Sequence, residues 1–203
     1  LEKALSQFKE LHMPVHIFSD VQADPPVEVI EKAVEVAQEY KADCVIGFGG
    51  GSSMDVAKLV ALLSLGKEKL ADIYGIGNAK GPRLPLILVP TTAGTGSEVT
   101  KSSVVTVSES EKKGVLSPHL LPDVALLDAE LTLGLPAHVT AATGIDAMVH
   151  AIEAFTTLVG NSFCWSYQSP PNSIYLMLFL SANSVISYNT FIQFFKRLPS
   201  VLN

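Results

Sequence analysis

Cysteine is nearly missing from this sequence of 203 residues: there are two, Cys44 and Cys164, and no CxxC pair. That excludes a disulfide framework and a cysteine-built zinc site, and a reducing, cytoplasmic compartment is the expectation. Positive charge is also short. Fourteen Lys and Arg face twenty Asp and Glu, for a net charge of −6. With no basic stripe, neither nucleic acid nor an anionic membrane is an expected partner. No long hydrophobic run is present. The longest near the C-terminus, residues 174–180, falls far short of the roughly 20 residues that span a bilayer. There is no internal repeat and no signal peptide. The opening Leu-Glu-Lys-Ala-Leu-Ser-Gln-Phe is an amphipathic helical pattern, and the absence of an initiator Met places the expected true N-terminus upstream. Finally, residues 158–203 hold no Asp or Glu, yet nine of the fifteen aromatics.

What the chain does contain is an alternation. Residues 1–12 read as a helix end and Val15-His16-Ile17-Phe18 as a short strand. Residues 27–40 carry helical periodicity through Val27, Ile30, Val34 and Ala37. Cys44-Val45-Ile46-Gly47-Phe48 is a charge-free strand, broken by Gly49-Gly50-Gly51-Ser52-Ser53, and residues 54–65 read as a helix. Residues 84–90 form another apolar strand, Val104-Val105-Thr106-Val107 an edge strand or hairpin arm, and residues 124–128 one more strand. All-apolar strands alternating with helices imply an α/β fold with a parallel sheet covered on both faces. From about Thr132 strand signals stop and helical ones take over, which predicts a domain boundary.

Two loops follow buried strands. In the first, Gly49-Gly50-Gly51-Ser52-Ser53-Met54-Asp55, glycines allow close backbone approach. The helix start that follows offers free N–H groups and a positive dipole end to a pyrophosphate. The spacing is not GxGxxG. The alternative is a tight turn with Ser52 or Ser53 as N-cap, although three consecutive glycines exceed what a cap needs. The second loop, residues 90–98, has hydroxyls at Thr91, Thr92, Thr95 and Ser97 and glycines at 94 and 96 that could line the same crevice.

The third feature is Gly144-Ile145-Asp146-Ala147-Met148-Val149-His150-Ala151-Ile152-Glu153-Ala154-Phe155. It reads as a helix on which Asp146 and His150, four apart, project from one face. On so apolar a helix the pair is costly to bury unless it is mutually bonded or holds a metal. The alternatives are a carboxylate favoured near a helix start and a histidine donating to a core carbonyl.

Taken together, Gly49-Gly50-Gly51-Ser52-Ser53-Met54-Asp55-Val56-Ala57-Lys58, Pro90-Thr91-Thr92-Ala93-Gly94-Thr95-Gly96-Ser97-Glu98-Val99-Thr100, Ser117-Pro118-His119-Leu120-Leu121-Pro122-Asp123 and the 144–155 helix resemble the iron-containing (group III) alcohol dehydrogenase family, within the dehydroquinate synthase-like superfamily. The resemblance covers residues 1–157. It implies a Rossmann-like parallel sheet domain lacking its first strand at 1–131, the start of an all-α metal-binding domain at 132–157, and a divergent or aberrant tail at 158–203. It implies that Gly50, Gly51 and Ser52 bind the pyrophosphate of NAD or NADP, that Asp55 sits near the cofactor, and that Thr91, Thr92 and Thr95 contact the dinucleotide. Lys112 matches a cofactor-side lysine, against the alternative of a solvated member of the charged run 109–113. Asp146 and His150 match the first two of four ligands, one Asp and three His, of Fe²⁺ or, in some members, Zn²⁺.

The implied chemistry is hydride transfer between a small alcohol or carbonyl substrate and nicotinamide, with no catalytic residue beyond the metal ligands. A homo-oligomer is left open.

Two departures shape the expectation. The region that selects NAD over NADP would precede residue 1, so the coenzyme is not chosen. Of the histidines at 12, 16, 119, 138 and 150, none follows His150. His119 is expected at the surface, and His12 and His16 have no ligand cluster beside them. The chain is therefore expected to be an incomplete, weakly active or inactive copy. A non-catalytic dinucleotide-binding remnant is the first alternative, and a glycerol dehydrogenase or dehydroquinate synthase-like enzyme the second.

Overall fold

The computed structural model describes residues 1–156. In chain order the elements are α1 (Glu2–Glu10), α2 (Val27–Glu39), β1 (Val45–Gly49), α3 (Gly51–Leu63), β2 (Gly75–Ile76), β3 (Leu86–Pro90), β4 (Ser102–Ser108), β5 (Glu111–Leu116), β6 (Val124–Ala125) and α4 (Ala137–Thr156). The aromatic-rich segment 158–203, predicted to be a divergent tail, lies outside the described residues.

β1, β3 and β6 form a parallel sheet in the order β1-β3-β6. β3 is the central strand, and all five of its residues are buried. Its side chains alternate between two cores as a pleated strand requires. Leu86 and Leu88 meet Met54, Ala57 and Ala61 of α3, while Ile87 and Val89 meet Phe8 of α1 on the other face. An unbroken apolar run is the sequence form of a strand covered on both sides.

α3 is buried nearly all round, from Met54 to Leu63, with only Asp55 partly exposed. A helix without a polar face belongs in the middle of a fold. One side of α3 packs on the parallel sheet. The other side, through Val56, Leu59, Val60 and Leu63, joins Ile30 and Ala33 of α2 with Val105 and Val115 of a second sheet. That sheet has the order β2-β5-β4, with β4 and β5 antiparallel.

Several expectations need correction. Residues 15–18 form no strand, and Val15 and Ile17 are exposed. An apolar tetrapeptide becomes a strand only where a neighbour completes its ladder, and none of the described strands pairs with it. The charged run 109–113 continues into β5, whose Glu111, Lys112 and Lys113 are all exposed and whose buried residue is Val115. α3 begins at Gly51 rather than Met54, so the serines of the glycine loop lie inside its first turn.

At the starting ends of β3 and β6 a single carboxylate ties the strands together. Asp123 accepts two bonds from Arg83, at 2.6 and 3.1 Å, and one from the Leu86 N–H at 2.8 Å. Arg83 spends its remaining donors on the carbonyls of Leu84, His119 and Leu121. Partial burial pushes the Asp123 carboxyl up, but the Arg83 and backbone hydrogen bonds outweigh it and hold it below the ordinary value.

α4 is laid against the sheet ends by a close approach. A Cβ placed on Gly94 would stand 2.4 Å from the Thr143 carbonyl oxygen of α4, so glycine is required there.

Two outcomes follow. Because the folded-state carboxyl titrates below its unfolded value of 3.8, the Asp123 contribution is present above that pH and fades as pH falls below it. Asp123→Asn should cost about 1 kcal/mol at pH 7, discounted for partial exposure, and flatten the pH dependence of the melting temperature below pH 4. Gly94→Ala should cost about 1–3 kcal/mol and speed amide exchange in residues 140–144 while leaving β3 protected.

Candidate functional site

The parallel register of β1 and β3 builds the site. Gly49 is opposite Pro90, and the Thr91 N–H donates to the Gly49 carbonyl at 2.9 Å. The loop leaving each strand therefore emerges beside the other, at the carboxyl ends of the strands, where open parallel sheets bind ligands.

The contact between the loops is tight. A Cβ on Gly50 would lie 3.4 Å from the Thr92 methyl, and one on Gly51 would lie 3.1 Å from the Thr95 methyl. Gly50, Gly51, Thr92 and Thr95, all singled out in the sequence, are brought together. Gly50 is also the N-cap of α3, with extended backbone and no side-chain cap. The alternative of Ser52 or Ser53 as a capping residue is therefore overturned. The first-turn N–H groups of α3 keep their donors for something else, and the helix dipole favours an anion there.

Thr92 adds a second sign of a ligand. Its hydroxyl oxygen is buried and has no hydrogen-bond partner. A buried unmade hydroxyl costs on the order of 1–3 kcal/mol and is usually explained by a missing ligand or water. The donor set suits the pyrophosphate of a dinucleotide, which presents acceptor oxygens and negative charge to N–H groups, a hydroxyl and a helix start.

Asp55 lies in the first turns of α3, behind the glycine loop. Its carboxylate accepts from Ser97 Oγ at 2.6 Å and from the Val104 N–H at 3.0 Å, and stands 3.5 Å from Lys58 Nζ. Asp55 binds the second loop to α3 rather than projecting free into the cleft. Lys112 lies exposed on β5, in an ion pair with Asp24 at 2.6 Å, as the solvated reading of that charged run expects.

Beside the second loop, Glu98 is buried within the 3₁₀ turn Ser97–Val99. Burial pushes its carboxyl above the ordinary range, with its own backbone hydrogen bond and the Lys58 charge pulling it back. Glu98 and Lys58 stand within the two motifs without a role of their own in the sequence. Their signal was two charged residues inside otherwise apolar or glycine-rich motifs.

The Asp146–His150 pair sits on α4, with His150 Nε2 3.7 Å from Asp146 Oδ1. It departs from expectation twice. α4 starts at Ala137, so Asp146 is mid-helix and the capping explanation fails. The pair is also half exposed, with side-chain exposures of 53% for His150 and 42% for Asp146, so no burial cost applies. Ile145, Met148 and Val149 around it are exposed as well. Among the described residues no third His, Cys, Asp or Glu joins the pair in a metal-binding group. His119 is exposed, as expected, and His16 stacks on Tyr40 at 3.7 Å. Two donors do not make a metal site, since such sites need three or more protein ligands.

Comparison with known proteins agrees with this geometry. The family model described as iron-containing alcohol dehydrogenase matches residues 1–129. Long-chain-alcohol dehydrogenase 1 of Geobacillus thermodenitrificans is 45% identical over 161 residues, covering 78% of this chain and 40% of that protein. Among solved structures, the alcohol dehydrogenase from Oenococcus oeni superimposes with a TM-score of 0.76 at 33% identity, over 81% of this chain and 43% of that one. Sulfoacetaldehyde reductase from Bifidobacterium kashiwanohense, solved in complex with NAD+, gives a TM-score of 0.66 at 34% identity, over 76% of this chain and 43% of that one. The chain thus spans about two fifths of the length of these relatives. The glycine loop against the threonine loop, on a parallel sheet that leads into the Asp–His helix, and the family match over residues 1–129 agree: the chain belongs to the iron-containing alcohol dehydrogenase family.

Proposed function

We propose that this chain carries the coenzyme-binding part of an iron-type alcohol dehydrogenase, holding NAD or NADP by its pyrophosphate between the two loops. The observation that carries this reading is the buried, unpartnered hydroxyl of Thr92, set over Gly50 beside an uncapped helix start. In this reading the first-turn N–H groups of α3 and the Thr92 hydroxyl donate to phosphate oxygens. Gly50 and Gly51 keep side chains out of the cradle, and Ser52 adds a donor in the same turn. Thr91 and Thr95 line the second loop beside it. Asp55 acts by holding that loop. Joining the cofactor would require Lys112 to leave Asp24.

The bound coenzyme supplies a hydride acceptor or donor, and the substrate class is a small alcohol or its carbonyl product. An alcohol dehydrogenase and an NAD+-complexed sulfoacetaldehyde reductase among the matching structures support that class. Residues 1–131 form the dinucleotide-binding unit and residues 132–157 begin the helical one. Asp146 and His150 descend from a metal site of Fe²⁺ or Zn²⁺. The 203-residue polypeptide has no histidine after His150, and no third donor stands beside the pair among the described residues. We therefore derive no metal-dependent step from these residues, and infer that by themselves they bind coenzyme without turnover.

Thr92→Val separates binding from folding. Removing an unpartnered buried hydroxyl should leave stability unchanged or raise it by about 1 kcal/mol, yet weaken NADH binding, read by fluorescence titration, by about tenfold. Gly51→Val should also weaken it, because the added side chain meets Thr95. If the unaltered chain shows no NADH binding, the reading is wrong. Incubation with Fe²⁺, NAD+ and a series of primary alcohols should yield no NADH above background. NADH formation that disappears in His150→Ala would overturn the inactive assignment.

A further inference from the structure

We propose that Lys58 is the positioning residue that orders the second loop against the first. The proposal rests on the reading of those loops as a dinucleotide cradle.

Lys58 is fully buried, with 0% exposure, in the middle of α3. Its ammonium has three protons and three acceptors: Ser97 Oγ at 2.9 Å, Thr100 Oγ1 at 3.1 Å and the Ser102 carbonyl at 2.8 Å. All three lie within one stretch, at the end of the second loop and the start of β4. No donor is left over, so Lys58 does not reach a ligand itself.

Ser97 is the shared element. Its hydroxyl accepts from Lys58 and donates to Asp55 at 2.6 Å, so its proton has one direction only. Asp55 in turn accepts from the Val104 N–H. Asp55 and Lys58 are one turn apart on the helix whose first turn is the glycine loop. The same rigid helix therefore presents the glycine cradle at its N-terminus and grips the far end of the threonine loop from its side. The near end of that loop is held by the Thr91–Gly49 bond. Residues 92–96 are suspended between these two attachments, and they include Thr92 and Thr95.

The energetic logic favours positioning over simple filling. Burial pushes the Lys58 ammonium down in pKa, opposed by Asp55 and Glu98. A methionine would occupy the volume without that desolvation cost. What the charge adds is direction: three charge-assisted bonds to one loop, each stronger than a neutral one.

The test uses the full chain with Lys58→Met and, separately, the double variant Ser97→Ala/Thr100→Val. Three quantities are read: the thermal midpoint, amide exchange of the protected loop N–H groups at Ser97, Val99 and Thr100 against those of β3, and NADH affinity. In both variants the loop amides should exchange at least about tenfold faster while β3 keeps its protection, and the NADH dissociation constant should rise by about tenfold. Unchanged loop exchange in a folded Lys58→Met protein overturns the proposal. So does loosening of β3 and the loop together, which marks a merely structural role, and so does a loosened loop with NADH affinity within twofold of the unaltered chain. If Lys58→Met does not fold, the double variant decides by the same criteria. If the unaltered chain does not bind NADH, the coenzyme reading fails, whereas loop exchange still decides whether Lys58 orders the loop.

Discussion

The parallel pairing of β1 with β3 is the constraint on which the rest of the molecule depends. Its register brings Gly49 opposite Pro90, so both following loops leave the sheet at one level and one edge. A shift of a single residue would reverse the faces of β3 and take Leu86 and Leu88 away from α3. It would also part Gly50 from Thr92. The pairing is covered by α3 on one face and α1 on the other, while the Arg83–Asp123 clamp ties β3 to its other neighbour, β6, at the end remote from the loops. A rigid scaffold at one end and loops at the other is the usual division between stability and binding in α/β sheets.

α3 links the two roles. Its apolar sides form the core, while its first turn meets Thr95 of the threonine loop and its buried Lys58 and partly buried Asp55 hold the far end of that loop. Four polar side chains, Lys58, Asp55, Ser97 and Thr100, meet in that network, and each has its partners. That is the condition under which a buried charge becomes tolerable and confers a single geometry. The Thr92 hydroxyl is the contrasting case, buried without a hydrogen-bond partner.

α4 is organised otherwise. It approaches the second loop closely where Thr143 meets Gly94, and Ile145, Met148 and Val149 remain exposed along with His150. The residue types of this helix are those of a buried element, but burial is supplied by neighbours and not by the helix itself. Among the described residues those neighbours are not there.

The local grammar was legible in the chain itself. Runs such as 86–90 announce a doubly covered strand because no charge survives there. Glycine triplets followed by a helical period announce a strand-to-helix turn. The order of the glycine loop, the threonine loop and the Asp–His helix carried the family resemblance, since motif order is a property of sequence alone. What the chain could not show was set by partners distant in sequence. Residues 15–18 have strand composition but no pairing neighbour, and β5 has surface composition but a hairpin partner in β4. Ser52 has the chemistry of a cap, yet α3 begins at Gly51 and Gly50 takes the capping place, so Ser52 lies inside the first turn. In the sequence Asp55 and Lys58 are two charged residues of one motif, with nothing to mark them as partners of the second loop. Only the fold, by bringing Ser97 and Thr100 from some forty residues away, made them a buried bridge between the two loops, because hydrogen bonds are decided by distance and direction and not by residue type.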